Sequence, residues 1–217
     1  MRDLKNWLGI CVLLTASQNI STIPAAAGDN LYVRVSGGVS NTDKLSTLSS
    51  NPTDVLSGKS DKTGVFDLGV GFVPSFKFSL INFRTEATFS MRPDLKFVTQ
   101  SVAAGKTSTT DVAGQQYTAT GNLYLDLGKL PIFMPYLGAG AGFAHTELTQ
   151  SQTNFAWNVM LGASAKILPM TSADLMLRHV DTGQLKGRTL TTGGTSTLNY
   201  SSNSSANELL LGLKFGF

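Results

Sequence analysis

Eight stretches of this chain alternate apolar and polar residues with a period of two, and that alternation leaves few folds open. They run near 30–40, 64–73, 79–91, 116–127, 133–145, 154–167, 173–182 and 206–217. A period of two places successive side chains on opposite faces of an extended strand. No convincing helical pattern competes with them after residue 27. No apolar run approaches the roughly 20 residues that a membrane-crossing helix needs.

The connections sort by length. In order they are 41–63, 74–78, 92–115, 128–132, 146–153, 168–172 and 183–205, which read long, short, long, short, medium, short, long. The short ones hold Pro74, Gly128, Pro131 and Pro169, residues of tight turns. The long ones mix Ser, Thr, Gly, Asp and Lys. A soluble meander has no reason to sort its loops by parity. A barrel threaded through a bilayer has one, with short turns inside and long loops outside. The expected fold is therefore all-β: an eight-stranded antiparallel up-and-down transmembrane β-barrel, with N and C termini on the periplasmic side.

The beginning of the chain reads as an export signal. Arg2 and Lys5 precede an apolar core, Trp7 to Leu14, and Ala25 and Ala27 suit a signal-peptidase site before Gly28. The expected organisation is a signal peptide over 1–27 and a barrel domain over 28–217. Cys11 lies inside the apolar core, which argues against a lipid anchor. It is the single cysteine, so no disulfide framework is possible. A net charge of +3 is too small to argue for nucleic acid.

Alternation assigns faces but not which face is inside. Ile81, Phe83, Thr85, Ala87, Phe89 and Met91 oppose Asn82, Arg84, Glu86, Thr88 and Ser90. Leu209, Leu211, Leu213, Phe215 and Phe217 oppose Glu208, Leu210, Gly212, Lys214 and Gly216. A soluble lipocalin-like barrel would turn the apolar face inward, and a membrane barrel would turn it outward. The glycines cluster on the polar face, where a narrow lumen needs room for long neighbours. Aromatics stand near strand ends: Phe72, Phe83, Phe133 and Phe217 on one rim, Phe66, Phe89, Phe143 and Trp157 towards the other. Both point to an apolar exterior. The inward charges would then be Arg34, Asp67, Arg84, Glu86, Asp126, Lys166, Asp174, Arg178, Glu208 and Lys214. Eight strands leave room for side chains only, so opposite charges must pair. The expected lumen ion-pair network is Arg34, Arg84, Glu86, Asp126, Lys166, Arg178 and Lys214, centred on Glu86.

The closing stretch Leu209–Phe217 resembles the last strand of bacterial outer-membrane barrels, in which alternating apolar residues and a final aromatic are read by the barrel-assembly machinery. That resemblance implies an assembly signal at Phe215 and Phe217. Tyr136–Gly142 resembles the fifth strand of the opacity-protein and surface-antigen family, whose fold is like the outer-membrane protein A transmembrane domain. Asp67–Phe72 fits that family's second strand. Asp174–Gly183 is similar to its aromatic-rich seventh strand, with Met176, Leu177 and His179 departing from the pattern. The resemblance implies a monomeric barrel in the outer membrane of a Gram-negative bacterium, surrounded by lipid and lipopolysaccharide. It also implies a structural or antigenic surface role, with adhesion to a host surface protein or glycan through loops 41–63, 92–115 and 183–205. No cell-wall-binding domain is expected after Phe217.

Other chemistries find little support. A narrow pore is the first alternative and a lipid-modifying barrel enzyme the second. The histidines are His145 and His179, and neither stands in a motif that sets a nucleophile beside its base. His145 has Glu147 two residues on, a weak signal, and no enzymatic activity is expected. Two histidines without cysteine clusters give no metal-ligand spacing, and no Gly-rich loop precedes a helix to cradle phosphate. No cofactor is expected. Asn199-Tyr200-Ser201 and Asn203-Ser204-Ser205 match glycosylation sequons but read as a Ser/Asn-rich loop. Lys186 and Arg188 open the last long loop without an acid nearby and could meet lipopolysaccharide phosphates or acidic glycans.

Overall fold

The computed structural model describes residues 30–42, 57–60, 62–74, 82–103, 106–128, 132–147, 151–190 and 197–217. They form strands β1 (Leu31–Thr42), β2 (Ser57–Ser60), β3 (Lys62–Phe72), β4 (Asn82–Ala103), β5 (Lys106–Asp126), β6 (Met134–Glu147), β7 (Ser151–Leu168), β8 (Thr171–Leu190) and β9 (Thr197–Gly216). Every pairing is antiparallel. β1 lies between β3 and β9, and β4 pairs with β5 to close the ring. The barrel thus has eight strands, and among the described residues β2 pairs with the far part of β4. Backbone hydrogen bonds seal the end that carries the termini, Phe217 N to Leu31 O at 2.9 Å and Gly216 N to Met170 O at 2.8 Å.

All eight expected strands are present, but two expected loops are not loops. β4 and β5 continue past the barrel as a paired ribbon from Leu95↔Gly114 to Ala103↔Lys106. β8 and β9 do the same from Gln184↔Asn203 to Leu190↔Thr197. The expected loops 92–115 and 183–205 are therefore largely β-structure. Ribbons beyond the bilayer need no apolar face, so they carry no apolar period. Of the expected loop 41–63, residues 43–56 and 61 lie outside the described residues, as do 79–81 at the start of the third expected strand and the expected signal segment 1–27.

Each ribbon leaves the barrel through an irregularity, between Arg92 and Leu95 and between Asp181 and Gln184. An inserted residue reverses which parity faces inward. On β4 and β8 even-numbered residues face the lumen up to Arg92 and Thr182, after which Leu95 and Leu185 are the buried ones. Gly183 makes the second bend possible with φ +77, a left-handed conformation that favours glycine. Its N–H donates to Asp181 Oδ1 at 2.8 Å, and Asn154 Nδ2 reaches across from β7 to Gln184 O at 2.8 Å.

The barrel is inside-out relative to a soluble one. Leu211 and Phe143 are 65% and 64% exposed on the exterior, whereas Arg34 and Glu208 are each 2% exposed in the lumen. This excludes the lipocalin-like arrangement. The inward glycines make room less for charges than for rings. Tyr32 stands across from Gly71, Tyr124 from Gly138 and Tyr136 from Gly162. A Cβ at Gly71 or Gly162 would strike the facing tyrosine ring. Phe66, Phe89, Phe143 and Trp157 are exposed towards the ribbon end, as are Phe72, Phe133 and Phe217 towards the termini, while Phe83 is only partly exposed.

Candidate functional site

The lumen holds a branched chain of ion pairs. Arg34 donates to Glu86 through both Nε (3.2 Å to Oε2) and Nη2 (2.6 Å to Oε1), the bidentate geometry that suits guanidinium and carboxylate. Thr88 Oγ1 and Tyr124 Oη also donate to Glu86 Oε1, at 2.7 and 3.1 Å. Asp67 lies 3.9 Å from Arg34 and accepts from both Nη atoms of Arg178, at 2.8 and 3.1 Å. Arg178 Nε donates to Glu208 Oε2 at 2.6 Å, and Arg92 Nε donates to Glu208 Oε1 at 2.7 Å. Cation and anion alternate from Arg92 through Glu208, Arg178, Asp67 and Arg34 to Glu86. A buried charge left unpaired costs several kcal/mol; here the three carboxylates of the series, Glu208, Asp67 and Glu86, each meet an arginine.

A second cluster lies nearer the termini. Arg84 Nε donates to Asp126 Oδ1 at 2.9 Å, and its guanidinium carbon lies 4.6 and 4.7 Å from the ring centres of Tyr124 and Tyr136. Arg84 Nη2 has no hydrogen-bond acceptor among the described residues, and these rings supply cation–π contact in place of one. Tyr136 Oη and Ser164 Oγ donate to Asp174, at 2.7 and 2.5 Å. Lys214 Nζ donates to Ser164 Oγ at 3.1 Å and lies 5.5 Å from the Tyr32 ring centre.

The structure brings together Arg34, Arg84, Glu86, Asp126, Arg178 and Lys214. Lys166 does not join them. Its parity points inward, but it sits at the rim next to the β7–β8 turn and is exposed. Arg92 takes the remaining cationic place in the lumen, 1% exposed. The sequence places it in the expected loop 92–115, because the apolar period fades just there. Among the described inward residues, Arg34, Arg84, Arg92, Arg178 and Lys214 are matched one for one by Asp67, Glu86, Asp126, Asp174 and Glu208. The tyrosines around Arg84 were the other omission. Their signal was the glycine facing each of them on the neighbouring strand.

Phe215 and Phe217 stand on the exterior at the termini end, 37% and 53% exposed. The side chains of Lys186 and Arg188 lie outside the described residues, although β8 carries both.

On the exterior rim, His145 Nε2 is 3.0 Å from Ser151 Oγ, and Nδ1 is 2.9 Å from Thr153 Oγ1. Glu147 Oε1 is 3.6 Å from Nε2, the same nitrogen that meets the serine. In a serine triad the acid holds the opposite ring nitrogen from the one facing the nucleophile. Here a threonine hydroxyl occupies that place. Among the described residues no cluster of His, Cys, Asp and Glu could hold a metal ion.

Comparison with known proteins places these features in context. The model of a family described as "Outer membrane protein beta-barrel domain" matches residues 10–215. The outer membrane protein PagN of Salmonella typhimurium is 24% identical, with 99% of this chain and 100% of that protein covered. A putative adhesin of Rickettsia felis is 27% identical over 87% of this chain and 88% of its own length. Among solved structures, OprG of Pseudomonas aeruginosa superposes with a TM-score of 0.60 at 10% identity, covering 87% of this chain and 96% of that one. Neisserial surface protein A gives 0.56 at 16% identity, covering 86% and 97%. At these identities the structures establish the eight-stranded fold.

Proposed function

The chain belongs to the outer membrane protein beta-barrel domain family and lies in the outer membrane of a Gram-negative bacterium, and from that premise we propose that it is a non-catalytic surface protein that adheres to a host surface protein or glycan through its ribbons. The observation that carries this reading is the pair of ribbons standing beyond the barrel, opposite the termini, above a lumen filled with paired charges. A barrel evolved to conduct would spend its interior on a water-filled path. A rigid closed barrel instead serves as a mount for what projects from it. The names of the relatives, an outer membrane protein and several putative adhesins, favour the same role.

In this reading residues 1–27 direct export, the barrel-assembly machinery reads Phe215 and Phe217, the termini face the periplasm, and the ribbons face the medium beside lipopolysaccharide. The barrel acts as a monomer. The wrong nitrogen partner for Glu147 at His145 supports the absence of catalysis.

The test is display of the full chain on a non-adherent outer-membrane host. Trimming β4–β5 and β8–β9 back to the bulges should abolish attachment to host cells while the protein keeps its heat-dependent gel shift. Equal attachment without the ribbons, or none with them, would remove the adhesive reading. The double substitution Lys186→Ala, Arg188→Ala, tested against heparin and lipopolysaccharide, isolates the basic part of the second ribbon.

A further inference from the structure

Beyond the barrel, β5 runs on with a neighbour on one side only among the described residues. Its ladder with β6 ends at Gln115↔Glu147, whereas its ladder with β4 continues without a register break from Leu95↔Gly114 to Ala103↔Lys106. Residues 106–114 therefore present one row of main-chain N–H and C=O groups that no described strand takes up. At about 3.4 Å per residue that row is roughly 30 Å long. The opposite edge of the same ribbon is covered. There β2 lies against residues 97–100 of β4 as an added antiparallel strand.

An open edge is a template for another chain, and proteins guard such edges with bulges, basic residues, proline or short length. The second ribbon is guarded. β8 carries the irregularity at Gly183 together with Lys186 and Arg188, and Asn154 Nδ2 already meets Gln184 O. On β9, Asn203 and Ser205 already have partners. The stretch 106–114 lacks these devices. Its sequence has no proline, its charges are Lys106 at the tip and Asp111, and its register has no bulge. Thr107, Thr109, Thr110 and Val112 are β-branched residues that favour strands.

We propose that this edge of β5 takes up an extended segment of a host surface protein as an added strand, on the side of the ribbon opposite β2. Strand addition here depends on the adhesive reading above and narrows its partner to a polypeptide. Alternating N–H and C=O groups at strand spacing match the main chain of another protein rather than the hydroxyls of a sugar. A second copy in the same membrane does not fit. Copies in one bilayer share an orientation, so their β5 edges would meet parallel, the weaker pairing.

Successive residues of an antiparallel strand turn their N–H groups to alternate neighbours. Of Thr109→Pro and Thr110→Pro, one therefore removes a donor to β4 and the other a donor on the open edge. Full-length variants are displayed on a non-adherent outer-membrane host and scored for attachment to cultured epithelial cells. The heat-dependent gel shift and the tryptic pattern of the ribbon report folding. The proline variant that keeps both is expected to lose attachment, whereas trimming β8–β9 back to its bulge leaves attachment intact. Attachment is also expected to survive heparinase and sialidase treatment of the epithelial cells and to be lost after trypsin treatment. If both prolines alter the tryptic pattern, the trimmed chain and the enzyme treatments decide. Full attachment by the ribbon-intact proline variant, or loss after heparinase or sialidase, overturns strand addition while adhesion stands. Clumping of the displaying bacteria in place of attachment overturns it in favour of a second copy on a facing cell. No attachment by the parent chain overturns adhesion, and strand addition with it.

Discussion

Glu86 accepts both nitrogens of a buried arginine fork as well as two hydroxyls, so its loss strands a guanidinium in the lumen. Glu86→Ala should cost about 3–5 kcal/mol, the usual penalty for breaking a buried pair on one side. Urea unfolding of the vesicle-embedded barrel, followed by the gel shift, measures it. Lys166→Ala should stay within about 0.5 kcal/mol of the parent, as expected for a solvated rim residue. The contrast bears on how much of the lumen can be read from sequence. Parity alone admits Lys166 and Arg92 equally, because both are even-numbered cations at the margin of an alternating segment. Only the position of the rim and of the bulge separates them, and neither leaves an apolar signature. Arg34, Arg84, Glu86 and Arg178 were legible because they interrupt strongly apolar strands at mid-length.

At the scale of the element, the bulge at Gly183 governs how the second ribbon leaves the barrel. Gly183→Val forces a β-branched residue into a left-handed backbone where Asn154 and the Phe155 carbonyl are already close. It should lower stability by at least about 1–2 kcal/mol and raise protease sensitivity of the ribbon ahead of the barrel, which limited proteolysis followed by mass spectrometry would show. The strands themselves were legible as far as they cross the bilayer, because lipid on one side and charge on the other enforce a period of two. Past Arg92 and Thr182, Leu95 and Leu185 are still buried, but beyond them the sequence alternates no longer and turns to Ser and Thr although the ladder goes on. The turns were easier. Proline and glycine mark them whatever the solvent, as at Gly128, which has φ +94.

For the whole molecule, the exterior apolar band and the filled lumen lead to two expectations. Leu211→Arg, outward and 65% exposed, should cost about 2–4 kcal/mol in a bilayer, the penalty for arginine near the midplane of a barrel. The inward Ser36→Ala should cost much less in the same unfolding assay. Planar-bilayer recordings should show no porin-sized conductance from the intact chain, and a porin-like current would contradict a lumen closed by ion pairs. The pairs also differ in how far apart their members lie along the chain. Arg84 meets Asp126 on the adjacent strand β5, and Arg178 meets Glu208 on β9, so each forms within one hairpin. Arg178 with Asp67 and Arg92 with Glu208 span 111 and 116 residues and join strands three apart around the ring, across the β1–β9 seam. Until β1 meets β9, Arg92 lacks Glu208 and Asp67 lacks Arg178, so one face of the growing sheet carries charge that is only partly paired, and hydrocarbon will not admit it. Closing the circle neutralises that face in a single event. Entry into the bilayer and completion of the ring are thus coupled, and a partly built sheet is turned away by its own charge.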